Sequence, residues 1–160
     1  MRVHVPATTS LVTSLTIPDE RGGGLWVLLE FVEPGARWKI IRAIFEDGLD
    51  FDVIDHAADT LVERVVGWKR WEAAYVWSAT LSMWPTIDGE LTGRGVDVAV
   101  LEVGRATNTV YAWWRHALRH SKDGWKDFER DMQREPRRVI ERAANSQDLS
   151  IFSGRRIGKR

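Results

Sequence analysis

Between Trp68 and Trp84 the chain reads WKRWEAAYVWSATLSMW, four of its nine tryptophans in seventeen residues. No glycine or proline interrupts the run before Pro85. Its only charges, Lys69, Arg70 and Glu72, fall in the first turn and a half, so the pattern predicts a helix. Trp68, Trp71 and Tyr75 recur at i, i+3, i+7 on one face. Ala73, Trp77, Leu81 and Trp84 follow i, i+4, i+8, i+11 on another. A helix that is apolar nearly all round must have most of its surface covered. It is either the buried centre of a fold or half core and half docking surface. Such a run supports a binding or assembly role better than an enzymatic one.

The rest of the composition suits that reading. A chain of 160 residues, 44% hydrophobic and 29% charged, is long enough for one domain with a core and too apolar for wholesale disorder. Cysteine is absent, which removes disulfides, thiolate metal sites and thiol catalysis, and fits a reducing compartment. The first fifteen residues, MRVHVPATTSLVTSL, make a poor signal peptide. The uncharged run Ala73–Ile87 is fifteen residues and too short to span a bilayer. A soluble cytoplasmic protein without a membrane partner is expected.

Charge is balanced overall but not along the chain. Between Asp19 and Glu63 eleven acids meet four bases; between Arg134 and Arg160 eight bases meet three acids. An acidic first half and a basic end allow head-to-tail self-association, an acidic partner or nucleic acid, while a solvated tail without a fixed partner is the plainer reading. Arg155, Arg156, Lys159 and Arg160 form the end of that basic tail.

The expected fold class is mainly α with a short N-terminal β unit (α+β) around a tryptophan-rich, bundle-like core. Residues 2–17, rich in Val and Thr, read as one or two short strands, and PDERGGG as a loop. LWVLLEFVE reads as a further strand, although a short helix suits it almost as well. From Arg37 the pattern turns helical. Helices are expected over Trp38–Glu46, from a cap at Asp50 or Asp52 to Val66, over the tryptophan run, and over Arg105–His120. Thr86–Arg94 reads as a short helix or turn, and Asp97 as the cap of another turn. Asp123 is the expected cap of a helix over Gly124–Gln133, and Pro136 opens a last one through Ala144. Three regions follow: 1–36, β-like and packed on the same domain; 37–145, helical; and 146–160, a basic, flexible tail.

Candidate chemistry is thin. His116 and His120 stand i, i+4, a spacing that can share a metal, but the glutamate of an HExxH pattern is missing and Arg115 and Arg119 flank both histidines. Asp52, Asp55, His56 and Asp59 form a second cluster, better read as aspartates at a positive helix start than as an acid–base pair. Asp88 and Glu90 can be paired acids or a turn cap. No nucleophile elbow, Walker A loop or GxGxxG after a strand is present. No catalytic residue, metal or cofactor is assigned, and no enzymatic activity is expected. Trp113-Trp114-Arg115 and Trp68-Lys69-Arg70-Trp71 can in principle stack bases, with the basic tail as support. Nucleic acid is the weaker partner because both runs sit on amphipathic helices whose cores need filling.

One run carries a resemblance. WEAAYVWSATLSMWPTIDGELTGRGVD, residues 71–97, followed by LEVGRATNTVYAW, residues 101–113, is similar to small helical proteins of actinobacterial phages described as tail assembly chaperones. It covers about Trp68–Arg134; the usual leucine after Gly-x-Asp is Val98 here. The resemblance implies a non-enzymatic protein of the host cytoplasm that coats the tape-measure protein, contacts tail subunits and self-associates. It points to Trp71, Trp77 and Trp84 as partner-binding residues, with Trp113 and Trp114 behind them. A structural virion component, such as a connector or tail protein, and a small nucleic-acid-binding regulator are the alternatives.

Overall fold

Thr8, Leu11, Val12 and Leu15 recur at helical spacing, and all four are buried. That periodicity decides the start of the chain. In the computed structural model, which describes residues 3–144, helix α1 spans Thr8–Leu15 and α2 spans Gly23–Glu30. The N-terminal β unit expected over 1–36 is therefore corrected to two helices. Sheet-like pairing among the described residues is limited to one antiparallel bridge, Val3 with Val32, beside the His4 N–H to Phe31 C=O bond of 2.9 Å. The Val- and Thr-rich composition favours strands locally, but burial of an i, i+3, i+4, i+7 face outweighs about 1 kcal/mol of β propensity.

The helical remainder follows the sequence closely. Helix α3 spans Arg37–Glu46 and α4 spans Phe51–Val66. The Asp50 carboxylate caps α4 by accepting from the Asp52 N–H at 2.9 Å, and Gly67 ends it at φ 80°, a left-handed conformation that suits glycine. Helix α5 spans Arg70–Ser82, its first turn tied by Glu72, which accepts from the Lys69 N–H at 3.1 Å. Helix α6 spans Trp84–Gly93, so Pro85 opens a new helix rather than merely closing the tryptophan run. Helix α7 spans Val103–Ala117 and α8 spans Gly124–Met132. The α8 start is held by Ser121 Oγ, which accepts from the Gly124 N–H at 3.1 Å, instead of the expected Asp123. A last helical segment, 137–144, follows Pro136.

Helix α5 is the centre, packed by α1, α4, α7 and α8. Its inward residues Ala73, Val76, Trp77 and Thr80 are almost inaccessible. Helix α2 lies against α4 so closely that a Cβ at Gly24 would come within 1.8 Å of Asp55 Oδ1. Only glycine allows that approach. The N-terminal segment thus joins the same core as the rest of the chain.

Helix α8 is fastened by aromatic rings. Trp68, Tyr111, Trp125 and Phe128 touch in sequence at centroid distances of 4.7, 5.3 and 5.7 Å, and Phe128 also meets Tyr75 and Trp114, each at 5.2 Å. Burial, helped by the negative charge of Asp131 near Tyr75 and of Glu129 near Tyr111, pushes both phenols above their ordinary value. These are the chain's only two tyrosines. A tyrosinate absorbance titration should therefore run above the usual phenol range in the folded protein and return to it in denaturant. Titration at the ordinary value in both states would mean that α8 is not docked on this cluster.

Candidate functional site

An apolar groove of about 270 Å³ opens between α1, α5, the start of α6 and the turn Val98–Val100. Trp77 forms its floor, Val12 and Val98 its sides, and Leu81 and Trp84 its rim. None of its nine lining residues is charged. Leu81 and Val100 remain 43% and 77% exposed, so apolar surface continues outside the groove. Trp77 is fixed beneath it by a hydrogen bond from its indole N–H to Thr107 Oγ1 at 2.9 Å, and Thr107 Oγ1 in turn donates to Val103 C=O at 2.8 Å. The α1 wall is anchored from the other side, where the Thr8 hydroxyl donates to the Leu101 C=O.

The five tryptophans expected to contact a partner do not share one surface. Trp77 and Trp84 meet in the groove. Trp113 is buried and donates to Glu90 Oε2 at 2.9 Å, while Trp114 is half-buried, stacks on Phe128 and donates to Thr80 Oγ1 at 3.1 Å. Both act in packing. Trp71 is half-buried between two further depressions of about 260 and 280 Å³ that also share Arg70. Its indole N–H is buried without a hydrogen-bond partner among the described residues. The basic tail residues Arg155, Arg156, Lys159 and Arg160 lie outside the described residues.

Beside Trp71 stands the most charged interior feature of the fold. Arg70, 4% exposed, donates from Nε to Asp59 at 2.7 Å, from Nη1 to Asp19 at 3.0 Å and from Nη2 to Asp55 at 2.8 Å. Arg138 then bridges Asp19 and Asp59 at 2.8 and 2.7 Å, and Arg142 reaches Asp59 at 3.2 Å. Three cations and three carboxylates are matched in charge, tying segment 137–144 to α4, α5 and the turn Asp19–Arg21. Burial raises Asp55 above the usual carboxylate range, despite the opposing pull of Arg70. Asp59 is buried too, yet its hydrogen bonds from Arg138 and Arg70 outweigh that cost and hold it below the range. The sequence cluster Asp52, Asp55, His56 and Asp59 is thereby split. Asp55 and Asp59 face inward on Arg70, whereas Asp52 and His56 are exposed.

The histidine pair on α7 and the residues after it is spanned by Arg119, which lies 2.8 Å from both His116 Nδ1 and His120 Nε2. A guanidinium occupies the position a metal would need. No group of three or more His, Asp or Glu side chains is placed to hold a metal among the described residues. No helix of the described residues is long and apolar enough to cross a membrane. A larger depression, about 590 Å³, is walled by Lys126, Glu129, Arg130, Asp131 and Arg134, and Arg130 already pairs with Asp127 and Asp131. It offers charge where the groove offers apolar contact.

What sequence reasoning missed is the α1 wall, hidden by its misreading as strand, and an apolar face on α3. There Trp38, Ile41 and Phe45 are exposed although their i, i+3, i+7 spacing reads as an inward face. No protein-family model, curated protein or solved structure matches this chain, so its function is argued from the surfaces described above.

Proposed function

We propose that this chain is a non-enzymatic assembly protein that holds apolar side chains of a partner protein in the groove between α1, α5 and α6. In its finer form the reading is a phage tail assembly chaperone acting on tape-measure and tail subunits. The carrying observation is the uncharged groove of about 270 Å³ floored by Trp77. That volume falls below the roughly 300–1,000 Å³ of sites that enclose small molecules. It suits one or two side chains from a helix laid across it, the helix-in-groove mode of recognition. The run that resembles the chaperones supplies Trp77, Leu81 and Trp84 to the groove, and Val98, which stands where those proteins usually have leucine, lines it beside them. The nucleic-acid reading loses support from Arg138 and Arg142, whose charges are turned inward onto Asp19 and Asp59.

The test compares tagged wild type with Leu81→Arg in pull-downs from the native host or infected cells, read by mass spectrometry. Leu81 is 43% exposed, so the substitution should leave the thermal melt within about 2 °C, while a charge at the rim removes the apolar contact. Wild type should recover a very long Ala/Leu-rich helical protein with tail subunits, and L81R at least about tenfold less, the loss expected for about 1.4 kcal/mol of contact. Equal recovery by both forms, or recovery only of nuclease-sensitive complexes, would remove the groove from the function.

A further inference from the structure

Helix α3 rests on the core through Ile40, which is buried, and Ile44, which is half-buried. Its larger remaining apolar side chains turn outward. At about 3.6 residues per turn, Trp38, Ile41 and Phe45 lie within about 60° of one another, and they are 53%, 42% and 83% exposed. Lys39 and Arg42 flank this face, with Arg42 ion-paired to Glu46. Asp47 ends the helix, and Asp50 and Asp52 follow at the start of α4, all three exposed.

Charge along α3 therefore runs from basic to acidic. Its first turn holds Arg37 and Lys39 and no acid, and its last turn holds Glu46 and no base. The helix macrodipole favours the opposite order, acids at the start and cations at the end. Helices α4 and α8 obey it, with Asp52 and Asp127 in their first turns and Arg64 and Arg130 in their last. Within one copy Arg37 is engaged by Glu30, whereas Lys39 and Asp47 meet no oppositely charged side chain among the described residues. A second α3 laid antiparallel supplies what is missing. Its acidic end meets the basic start of the first, its basic start meets the acidic end, and the two dipoles oppose. A face that carries both signs in this order is complementary to itself under a two-fold axis.

We infer that the Trp38–Ile41–Phe45 face is the interface of a symmetric dimer, with the α3 helices of two copies packed antiparallel. With the axis beside Ile41, Trp38 of each copy meets Phe45 of the other, and Lys39 reaches Glu46 and Asp47. At about 150–250 Å² for a whole aromatic side chain, Trp38 and Phe45 together offer roughly 200–340 Å² per copy. The two copies thus supply about 400–700 Å² of the roughly 1,000 Å² that a specific interface needs, before Ile41 and the charged side chains are added. No residue lining the groove between α1, α5 and α6 takes part, so the dimer stands apart from the proposed function.

The test is sedimentation equilibrium of the full chain at about 5–300 μM, a range suited to an interface at the small end of the specific class. Wild type should contain dimer that grows with concentration. Lys39→Glu and Asp47→Lys should each weaken it about tenfold, because two exposed charge pairs turn from attraction to repulsion. Each substitution also brings α3 into line with its dipole, so the thermal melt of the dilute protein should hold or rise while association falls. Mixed together, the two variants should regain the wild-type affinity, since each altered charge then meets an opposite one across the axis. Phe45→Ala should weaken the dimer at least about tenfold, and its fold is kept because Phe45 is 83% exposed. A monomer at every concentration, as when another part of the chain covers the face, would overturn the inference. So would a dimer indifferent to Phe45→Ala, charge variants that associate alone as well as wild type does, or variants that fail to recover on mixing.

Discussion

Arg70→Met is expected to lower the unfolding free energy by about 3–5 kcal/mol, the range for removing one partner of a buried ion pair. It leaves Asp55 without its cation and takes one cation from Asp19 and Asp59, which keep Arg138. Domains of this size hold about 5–15 kcal/mol in total, so the variant should sit near or past the edge of folding at 25 °C. The reason is geometric. One guanidinium serves Asp19, Asp55 and Asp59 from three different nitrogens, and only arginine has that planar fork. Arg70→Lys should therefore recover part of the loss and no more. Urea denaturation at pH 7 measures both.

The pH dependence gives a second, independent handle. Asp59 is held below the usual range, so its contribution is present above the unfolded carboxyl value and lost as pH falls through the lowered one. Asp55 is raised, so it works the other way: stability is greatest with the carboxyl protonated and declines as pH rises through its folded value. Removing Arg70 deletes the strongest force opposing that rise and should move Asp55 further up. The deficit of R70M against wild type should then shrink as pH is lowered from 7 to about 5, the upper edge of the carboxylate range. In the same assay Asp59→Asn, which gives up three arginines, should cost more than Asp55→Asn, which gives up one and relieves a desolvated charge. A deficit that stays flat or widens on acidification would show that Asp55 does not face Arg70 as its counter-charge.

How far these features are legible in the sequence depends on the range of the interaction behind them. Helices α3, α4, α7 and α8 follow from caps, glycine stops and apolar spacing that act within a few residues, as at Asp50 and Gly67. The α1 helix does not, because its threonines and valines carry strand propensity while the helical face is rewarded only by packing against α2, itself read as a strand, and against α5, more than fifty residues on. The site divides the same way. Trp77 and Trp84 announce themselves as large apolar residues on one helix face, but the groove between them exists only once α1 and the Val98–Val100 turn close over it. Asp55 and Asp59 are visible as an i, i+4 pair. Their partner is not, since Arg70 at a helix start reads as a solvated charge and the Asp19–Arg138 pair joins residues 119 apart. The five tryptophans misled in a similar manner: composition marks each as a large contact, and only packing tells Trp113 in the core from Trp84 at a rim.

Trp77 is where fold and proposed function meet, and its removal should be felt in both. Trp77→Ala is expected to cost about 3–5 kcal/mol, the range for deleting a large buried aromatic side chain. The side chain is 2% exposed, and its indole N–H is bonded to a threonine hydroxyl that is itself fully buried. The cavity left behind should not be sealed, because Trp77 is the floor of the groove and the space above it already opens to solvent between Leu81 and Trp84. Indole added to W77A should therefore enter and restore stability, by about 2.7 kcal/mol at a hundredfold excess over its dissociation constant. Wild type should show no such gain. Trp77→Phe separates the two parts of the cost, since it keeps most of the apolar floor and gives up the hydrogen bond to Thr107; about 1–3 kcal/mol is expected, the range for a buried polar partner left unsatisfied. Differential scanning fluorimetry with and without indole reads all three proteins. A W77A variant that melts like wild type would place Trp77 outside the core, and a destabilised W77A that indole fails to rescue would mean that floor and groove are not continuous. In that case the rim residues Leu81 and Trp84 would have no pocket behind them, and a partner side chain would have nowhere to seat.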